Sequence, residues 1–345
     1  MVVMKVLRKG RDLLVYVLLK SAFLLASLLP PTLAYRLARP CGSLLYFTGR
    51  QRRHIALRNL DIGFRSALSR REKRRVAHQS FQHAMVNLAG VTIRRRWVRH
   101  PELRFFDISQ EENDLLVRSH EQGLVLLSAH VGDWEMGHHY LSLRGIPVAA
   151  VAREITNPYL DQEVVRLRSQ CGGRVIRKRG ALKEMRGVLR RGEVLGLVPD
   201  QNCPSREHFF KFLGIPASTY TEFARVIART DARVLFVACI REGYRLRFRC
   251  TVRDLRENLP GSLKGDTDET IRERAHLLVR RYLDALEELV RAHPEQYLWT
   301  HRRWKSRPTG APWLYHDLRR PLEHSRVTPP SERTTTSTHT AKPGA

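Results

Sequence analysis

The chain has 345 residues, with 61 Lys+Arg against 34 Asp+Glu and a formal net charge of +27. That length fits one large domain or two small ones with a full core, and the charge calls for a polyanionic partner: nucleic acid, an anionic membrane surface or an acidic protein. Cys41, Cys171, Cys203, Cys239 and Cys250 form no C-x-x-C pair, which speaks against a zinc site or disulfide framework and points to a reducing compartment.

In chain order, Leu13 to Leu29 is apolar except for Lys20 and two serines, and it ends at Pro30-Pro31. Lys5, Arg8, Lys9 and Arg11 precede it, and Arg36 and Arg39 follow. Lys20 and the double proline argue against a cleaved secretory signal. As a membrane span the stretch is short and charged, and its flanks leave orientation undecided. The expectation is a helix dipping into or lying on the inner leaflet, with Lys20 snorkelling. Next, Gln51 to Arg75 is dense in arginine, and Ser69-Arg70-Arg71-Glu72 has capping-box spacing, which predicts a helix running towards Ala89. A second basic run, Arg94-Arg95-Arg96-Trp97-Val98-Arg99, follows. Such runs are solvated helix faces or lie against anionic head groups, each basic residue then adding about 1 kcal/mol. The apolar segment just upstream favours the second.

From Gly123 short apolar runs alternate with helical stretches. Strands are expected at Leu124–Ser128, Val148–Ala152, Arg174–Ile176, Val194–Val198, Val234–Ile240 and Tyr244–Cys250. Helices are expected between them at Asp133–Leu143, Pro158–Gln170, Ala181–Arg190 and Thr219–Arg229. This alternation predicts an α/β fold: a largely parallel sheet covered by helices, preceded by the membrane-associated helical segment. Asp268 to Ala292 reads as one more helix, with Leu277, Leu278, Tyr282, Leu286 and Leu289 at helical spacing. Beyond Pro321 the chain is mostly Ser, Thr, Pro and charge, the composition of a disordered tail. The resulting division is an anchoring segment over 1–40, a catalytic domain over 41–318 and a tail over 319–345.

The stretch with the most chemistry is Leu124 to Glu135, an apolar run ending at Ser128-Ala129-His130-Val131-Gly132-Asp133-Trp134-Glu135. A strand delivering a polar side chain to a strand-to-helix turn is where α/β folds place their sites. His130 is the candidate base, and Glu135, one turn into the helix, is positioned to fold back onto the other ring nitrogen. The plainer alternative is a satisfied histidine with Glu135 favoured by the helix dipole. Arg177-Lys178-Arg179-Gly180 puts guanidinium groups at another such turn, suited to an oxyanion or a phosphate. Gly192 to Gln201 is a buried strand ending in Pro199-Asp200-Gln201, and Tyr297 to Lys305 interleaves aromatic and basic residues. Two rivals are weaker. A metal hydrolase using Glu135, His138, His139 and His130 lacks the H-E-x-x-H order. A nucleic-acid binder would use text such as His301-Arg302-Arg303-Trp304, but no fold signature accompanies it and the apolar leader goes unexplained.

Together these stretches resemble the late acyltransferases of lipid A biosynthesis, the lauroyl/myristoyl transferases, and their relatives in the lysophospholipid acyltransferase superfamily. The family's H-x4-D/E motif is matched by His130 to Glu135, its arginine-glycine stretch by Arg179-Gly180, and its P-D-x strand end by Pro199-Asp200-Gln201. Aromatic-glycine text at Phe209 to Gly214, the closing signature from Tyr297 to Arg307-Pro308, and the Arg52 to Leu60 segment are also similar, in collinear order. The resemblance implies His130 as general base, Glu135 as the carboxylate orienting it, Arg179 at the oxyanion or substrate, and Asp200 at the strand end beside the substrate pocket. Asp133 stands where asparagine is common and takes no partner role. No metal or cofactor is implied, only an acyl carrier protein or acyl-CoA thioester as donor and a hydroxyl of a lipid A precursor or similar glycolipid as acceptor. Anionic membrane lipids and an acyl carrier protein are the implied partners, with no nucleic acid, and the implied location is the inner (cytoplasmic) membrane, catalytic domain facing the cytoplasm. Such a transfer needs a base for the hydroxyl and a cation or amides for the oxyanion. Arg179, or amides near Gly132, are the candidates for the second. No G-x-S-x-G elbow occurs, which counts against a serine hydrolase.

Overall fold

Runs such as Leu124-Val125-Leu126-Leu127, buried on both faces, belong in the interior of a helix-covered parallel sheet. The computed structural model describes residues 2–99, 103–119, 123–170, 173–177, 180–205, 207–259 and 266–316. Four helices come first: α1 (Val2–Leu28), α2 (Pro31–Thr48), α3 (Arg50–Phe64) and α4 (Arg70–Arg99). The α/β part follows as β1 (Phe106–Asp107), α5 (Gln110–Arg118), β2 (Leu124–Leu127), α6 (Trp134–Leu143), β3 (Val148–Ala152), α7 (Pro158–Gln170), β4 (Arg174–Arg177), α8 (Ala181–Arg190) and β5 (Val194–Leu197). A hairpin of β6 (Phe209–Phe212) and β7 (Ile215–Ser218) precedes α9 (Glu222–Ile227), β8 (Arg233–Arg241), β9 (Phe248–Asp254) and α10 (Asp268–Ala292). The expected tail, 319–345, lies outside the described residues.

The sheet order is β1-β9-β8-β2-β5-β3-β4. β8, β2, β5, β3 and β4 are mutually parallel, and β9 turns back antiparallel to β8, with β1 beside it. Alternate side chains divide the core. Leu124, Leu126, Leu235 and Val237 join Tyr35, Val86, Met136 and Tyr140 of α2, α4 and α6. On the other face Phe236 meets Tyr282 of α10, ring centroids 6.0 Å apart.

α3 and α4 are separated at Ser69, whose hydroxyl accepts from Glu72 N at 3.3 Å while Glu72 Oε2 accepts from Ser69 N at 2.7 Å, the expected capping box. Two expectations need correction. The second β-hairpin strand starts at Phe248, not Tyr244, because Gly243 at φ 58° and the Glu242 N–H to Arg247 O bond use residues 242–247 as the turn. The helix expected from Thr219 begins at Glu222, since Thr219 N donates to His208 O and its hydroxyl accepts from Arg303.

α1 is docked on α7 through polar contacts. Tyr16 stacks on Tyr159 (5.8 Å), Asn157 Nδ2 donates to Asp12 O (2.7 Å), and Lys20 Nζ lies 2.6 Å from Tyr16 OH and 3.7 Å from Glu163. Tyr16 and Glu163 thus give Lys20 polar partners on the α7 side of the helix. The outward faces of α1 and α2 expose Leu14, Leu18, Leu25, Leu28, Leu44 and Phe47, each near 60% or more. Among the described residues no helix is long and apolar enough to cross a membrane.

Candidate active site

The register of the central strands builds the site. β2 pairs with β5 so that Leu127 faces Leu197, and Ser128 N–H to Leu197 O (2.8 Å) extends the ladder. His130 and Asp200 each lie three residues beyond those partners, so two neighbouring strand ends present them to each other. This is the carboxyl edge of the sheet, where open α/β folds place their sites. Asp200 Oδ1 is 2.6 Å from His130 Nδ1, and Oδ2 accepts the backbone N–H of His130 at 3.1 Å.

An ionised carboxylate accepts only, so Nδ1 carries the proton and the lone pair lies on Nε2. Nε2 faces the Gln201 amide nitrogen at 3.4 Å, and the Trp134 ring packs beside the imidazole with centroids 4.9 Å apart. Burial on its own pushes the imidazole pKa down, but the charge and hydrogen bond of Asp200, with help from Glu135, outweigh burial and leave it raised above 6.5. Burial likewise pushes Asp200 up, yet the His130 charge and hydrogen bonds, with the Arg303 guanidinium beyond, hold it below its ordinary value. Each charge of the pair supports the other.

Glu135 does not occupy the position expected of it. The carboxylate on Nδ1 is Asp200, whereas Glu135 takes Arg168 of α7 in a bidentate pair at 2.5 and 3.3 Å. The physical reason is reach: Glu135 leaves the first turn of α6 beside α7, while Asp200 leaves the adjacent strand in register with His130. Glu135 still acts on His130 through its charge. Arg179 lies outside the described residues. The amides near Gly132 are already engaged: Val131 N donates to Ala129 O, Gly132 N to Gln296 O and Asp133 N to Cys239 O. Glu135, His138, His139 and His130 form no metal-binding group, and among the described residues no cluster of three or more His, Cys, Asp or Glu side chains could hold an ion.

What the sequence did not reveal is the buried frame of the turn. Arg241 is fully buried, pairs with Asp133 at 2.7 Å and Asn87 Oδ1 at 3.1 Å, and lies over the Tyr35 and Phe248 rings at 4.7 and 4.6 Å. Asn87 Nδ2 in turn donates to Gly132 O at 2.6 Å. Gly132 sits at φ +60°, and a Cβ there would stand 2.2 Å from Cys239 O, so only glycine fits. The closing segment runs antiparallel beside the turn, with Val131 bridged to Tyr297 and Leu298 N–H on His130 O at 2.9 Å. Its three aromatic side chains and one of its arginines face inward: Tyr297, Trp299, Trp304 and Arg303 are buried, while Lys305 is exposed. The one sequence signal for this frame was Asp133, an acid in a buried turn that demands a cation.

The geometry is that of a base fixed in one tautomer, its Nε2 lone pair held only by the long contact to Gln201. Comparison with known proteins gives this geometry a context. A family model described as bacterial lipid A biosynthesis acyltransferase matches residues 4–306. Similar curated proteins include three from Escherichia coli (strain K12), each 26% identical. Lipid A biosynthesis lauroyltransferase aligns over 83% of this chain and 90% of its own length. The palmitoleoyltransferase aligns over 77% and 83%, and the myristoyltransferase over 84% and 85%.

Proposed function

The chain belongs to the bacterial lipid A biosynthesis acyltransferase family, and on that premise we propose that it moves a fatty acyl group from an acyl thioester to a hydroxyl of a lipid A precursor or similar glycolipid, with His130 as general base. The observation that carries this reading is the 2.6 Å contact between His130 Nδ1 and Asp200, which leaves Nε2 as the acceptor. The acceptor hydroxyl gives its proton to Nε2 as its oxygen attacks the thioester carbonyl. The tetrahedral intermediate then collapses, the C–S bond breaks, and the imidazolium returns the proton to the departing thiolate. Asp200 stays ionised throughout and stabilises the imidazolium. Glu135 and Arg168 form the wall beside the base, and Arg179 is assigned to the substrate.

Either acyl carrier protein or acyl-CoA serves as donor chemistry, and the net charge of +27 suits the acidic carrier. The exposed leucines of α1 and α2, with the arginines of α3 and α4, support attachment to the inner membrane surface, the catalytic part facing the cytoplasm. Full-length protein in detergent, given an acyl thioester and a lipid A precursor, should yield a product heavier by one acyl chain on mass spectrometry, and His130→Ala should yield none. Normal transfer by His130→Ala would sink the assignment.

A further inference from the structure

The reaction needs a hydrogen-bond donor where the thioester carbonyl oxygen turns negative, and the amides of Val131, Gly132 and Asp133 are already taken. His301 offers another. It is tied to both loops of the site. Leu298, three residues before it, holds His130 O, and Asn202, two residues after Asp200, donates its backbone N–H to His301 Nε2 at 3.0 Å. The backbone of His301 is fixed as well, its carbonyl accepting from Asn59 Nδ2 at 2.6 Å.

Because Nε2 accepts, the ring proton resides on Nδ1. Nδ1 is not among the buried atoms that lack a partner, and it makes no hydrogen bond to a described residue. No described residue therefore competes for its proton. Burial of the ring is the main reason its pKa falls to about 4; Asp200 opposes this, and the charges of Arg303, His130 and Arg52 add to it. The imidazole is thus neutral at pH 7 and near enough to feel both members of the His130–Asp200 pair. A neutral donor is what the site requires, because a second imidazolium would repel the one formed on His130.

We propose that His301 is a second catalytic histidine, whose Nδ1–H donates to the carbonyl oxygen of the acyl thioester as it becomes tetrahedral. The proposal rests on the acyl-transfer reading above. It predicts opposite fates for two similar variants of the full-length enzyme. His301→Gln keeps an acceptor for Asn202 N–H and a donor for the oxyanion, so kcat should stay within about tenfold of wild type. His301→Glu keeps the acceptor but has no donor, so kcat should fall by about 10²–10³-fold, with KM for both substrates within about threefold. Rates are compared on the pH plateau of each variant, since a new carboxylate moves the His130 ionisation. A Glu variant within tenfold of wild type, or a loss confined to KM, would reduce His301 to a prop for the 201–202 segment and overturn the proposal. Independently of how the variants fold, nitrogen-15 histidine spectra of the wild-type protein should show His301 protonated on Nδ1; the Nε2–H tautomer would refute it. Wild-type protein that transfers no acyl group from any thioester would instead remove the reading beneath the proposal, and the proposal with it.

Discussion

Replacing Asp200 with asparagine tests the site most directly. In the wild type the His130 imidazolium formed during transfer sits against a buried carboxylate, N to O 2.6 Å. Taking the two charge centres about 4 Å apart in an effective dielectric of about 20, the attraction is about 4 kcal/mol, which corresponds to about 10³ in rate. An asparagine can also present its NH₂ to Nδ1 and select the wrong tautomer; in Ser-His-Asp enzymes the same exchange costs about 10⁴. Asp200→Asn should therefore lower kcat by about 10³–10⁴ with little change in KM. The pH profile carries a second signature. Only the deprotonated base works, so activity falls as pH drops through the His130 pKa, which lies above 6.5 because Asp200 outweighs burial. Without the carboxylate charge, burial prevails and the acid limb moves below that of the wild type. Glu135→Gln is the comparator: it leaves the Nδ1 contact intact and should cost less activity and move the limb less. Initial rates of thioester consumption and acylated product, by mass spectrometry from pH 5 to 9, decide the matter. If Asp200→Asn retained a tenth of wild-type turnover, or if Glu135→Gln proved the more damaging and moved the limb further, Glu135 and not Asp200 would be the orienting group.

Three further outcomes follow from the same contacts. Arg241→Met takes the guanidinium from the buried Asp133 carboxylate and from Asn87 and should cost about 3–5 kcal/mol of stability, read as a lower urea midpoint; an unchanged midpoint would mean the pair is not buried in solution. The His130–Asp200 pair should also leave a mark on stability against pH. A histidine whose pKa is raised on folding, despite burial, stabilises fully below 6.5, and that contribution is lost as pH rises through its folded value; urea midpoints from pH 6 to 9 should decline in the wild type and stay flatter in Asp200→Asn. Finally, Leu18→Asp with Leu25→Asp alters only exposed side chains of α1, so the protein should stay folded yet leave anionic vesicles at high salt, where screening has removed the arginine contribution. Wild-type protein washed off by salt alone would refute an apolar anchor.

Much of the fold was readable because each strand of the parallel set is a run of apolar residues between helices of strong period. α7, α8 and α10 begin and end where the periodicity places them. The β6–β7 hairpin was not readable. Its turn is Leu213-Gly214, both at positive φ, and leucine in that position does not announce a type I′ turn as asparagine would. What permits it is tertiary: Leu213 N donates to Glu287 Oε2 of α10 at 2.7 Å.

The site was half readable, for a reason of dimension. Spacing along the chain finds partners one helical turn away, which made Glu135 the natural mate for His130. The actual mate is 70 residues distant, and it arrives because β5 inserts between β2 and β3 in the sheet. Composition misleads in a similar way. With 61 Lys+Arg, every arginine looks like surface, and Tyr297 to Lys305 looks like a strip for binding a polyanion. Yet Arg241 and Arg303 are almost wholly buried, one closing the frame of the turn and the other holding Ser218 O and Thr219 Oγ1 at 2.8 and 3.0 Å. An arginine can occupy a core only where acceptors and aromatic faces surround its planar donors. Tyr35 and Phe248 do this for Arg241, and Phe212 does it for Arg303. The aromatic residues interleaved with charge in the closing segment are thus part of the packing that lets a cation sit near Asp200, and so part of what keeps the base oriented.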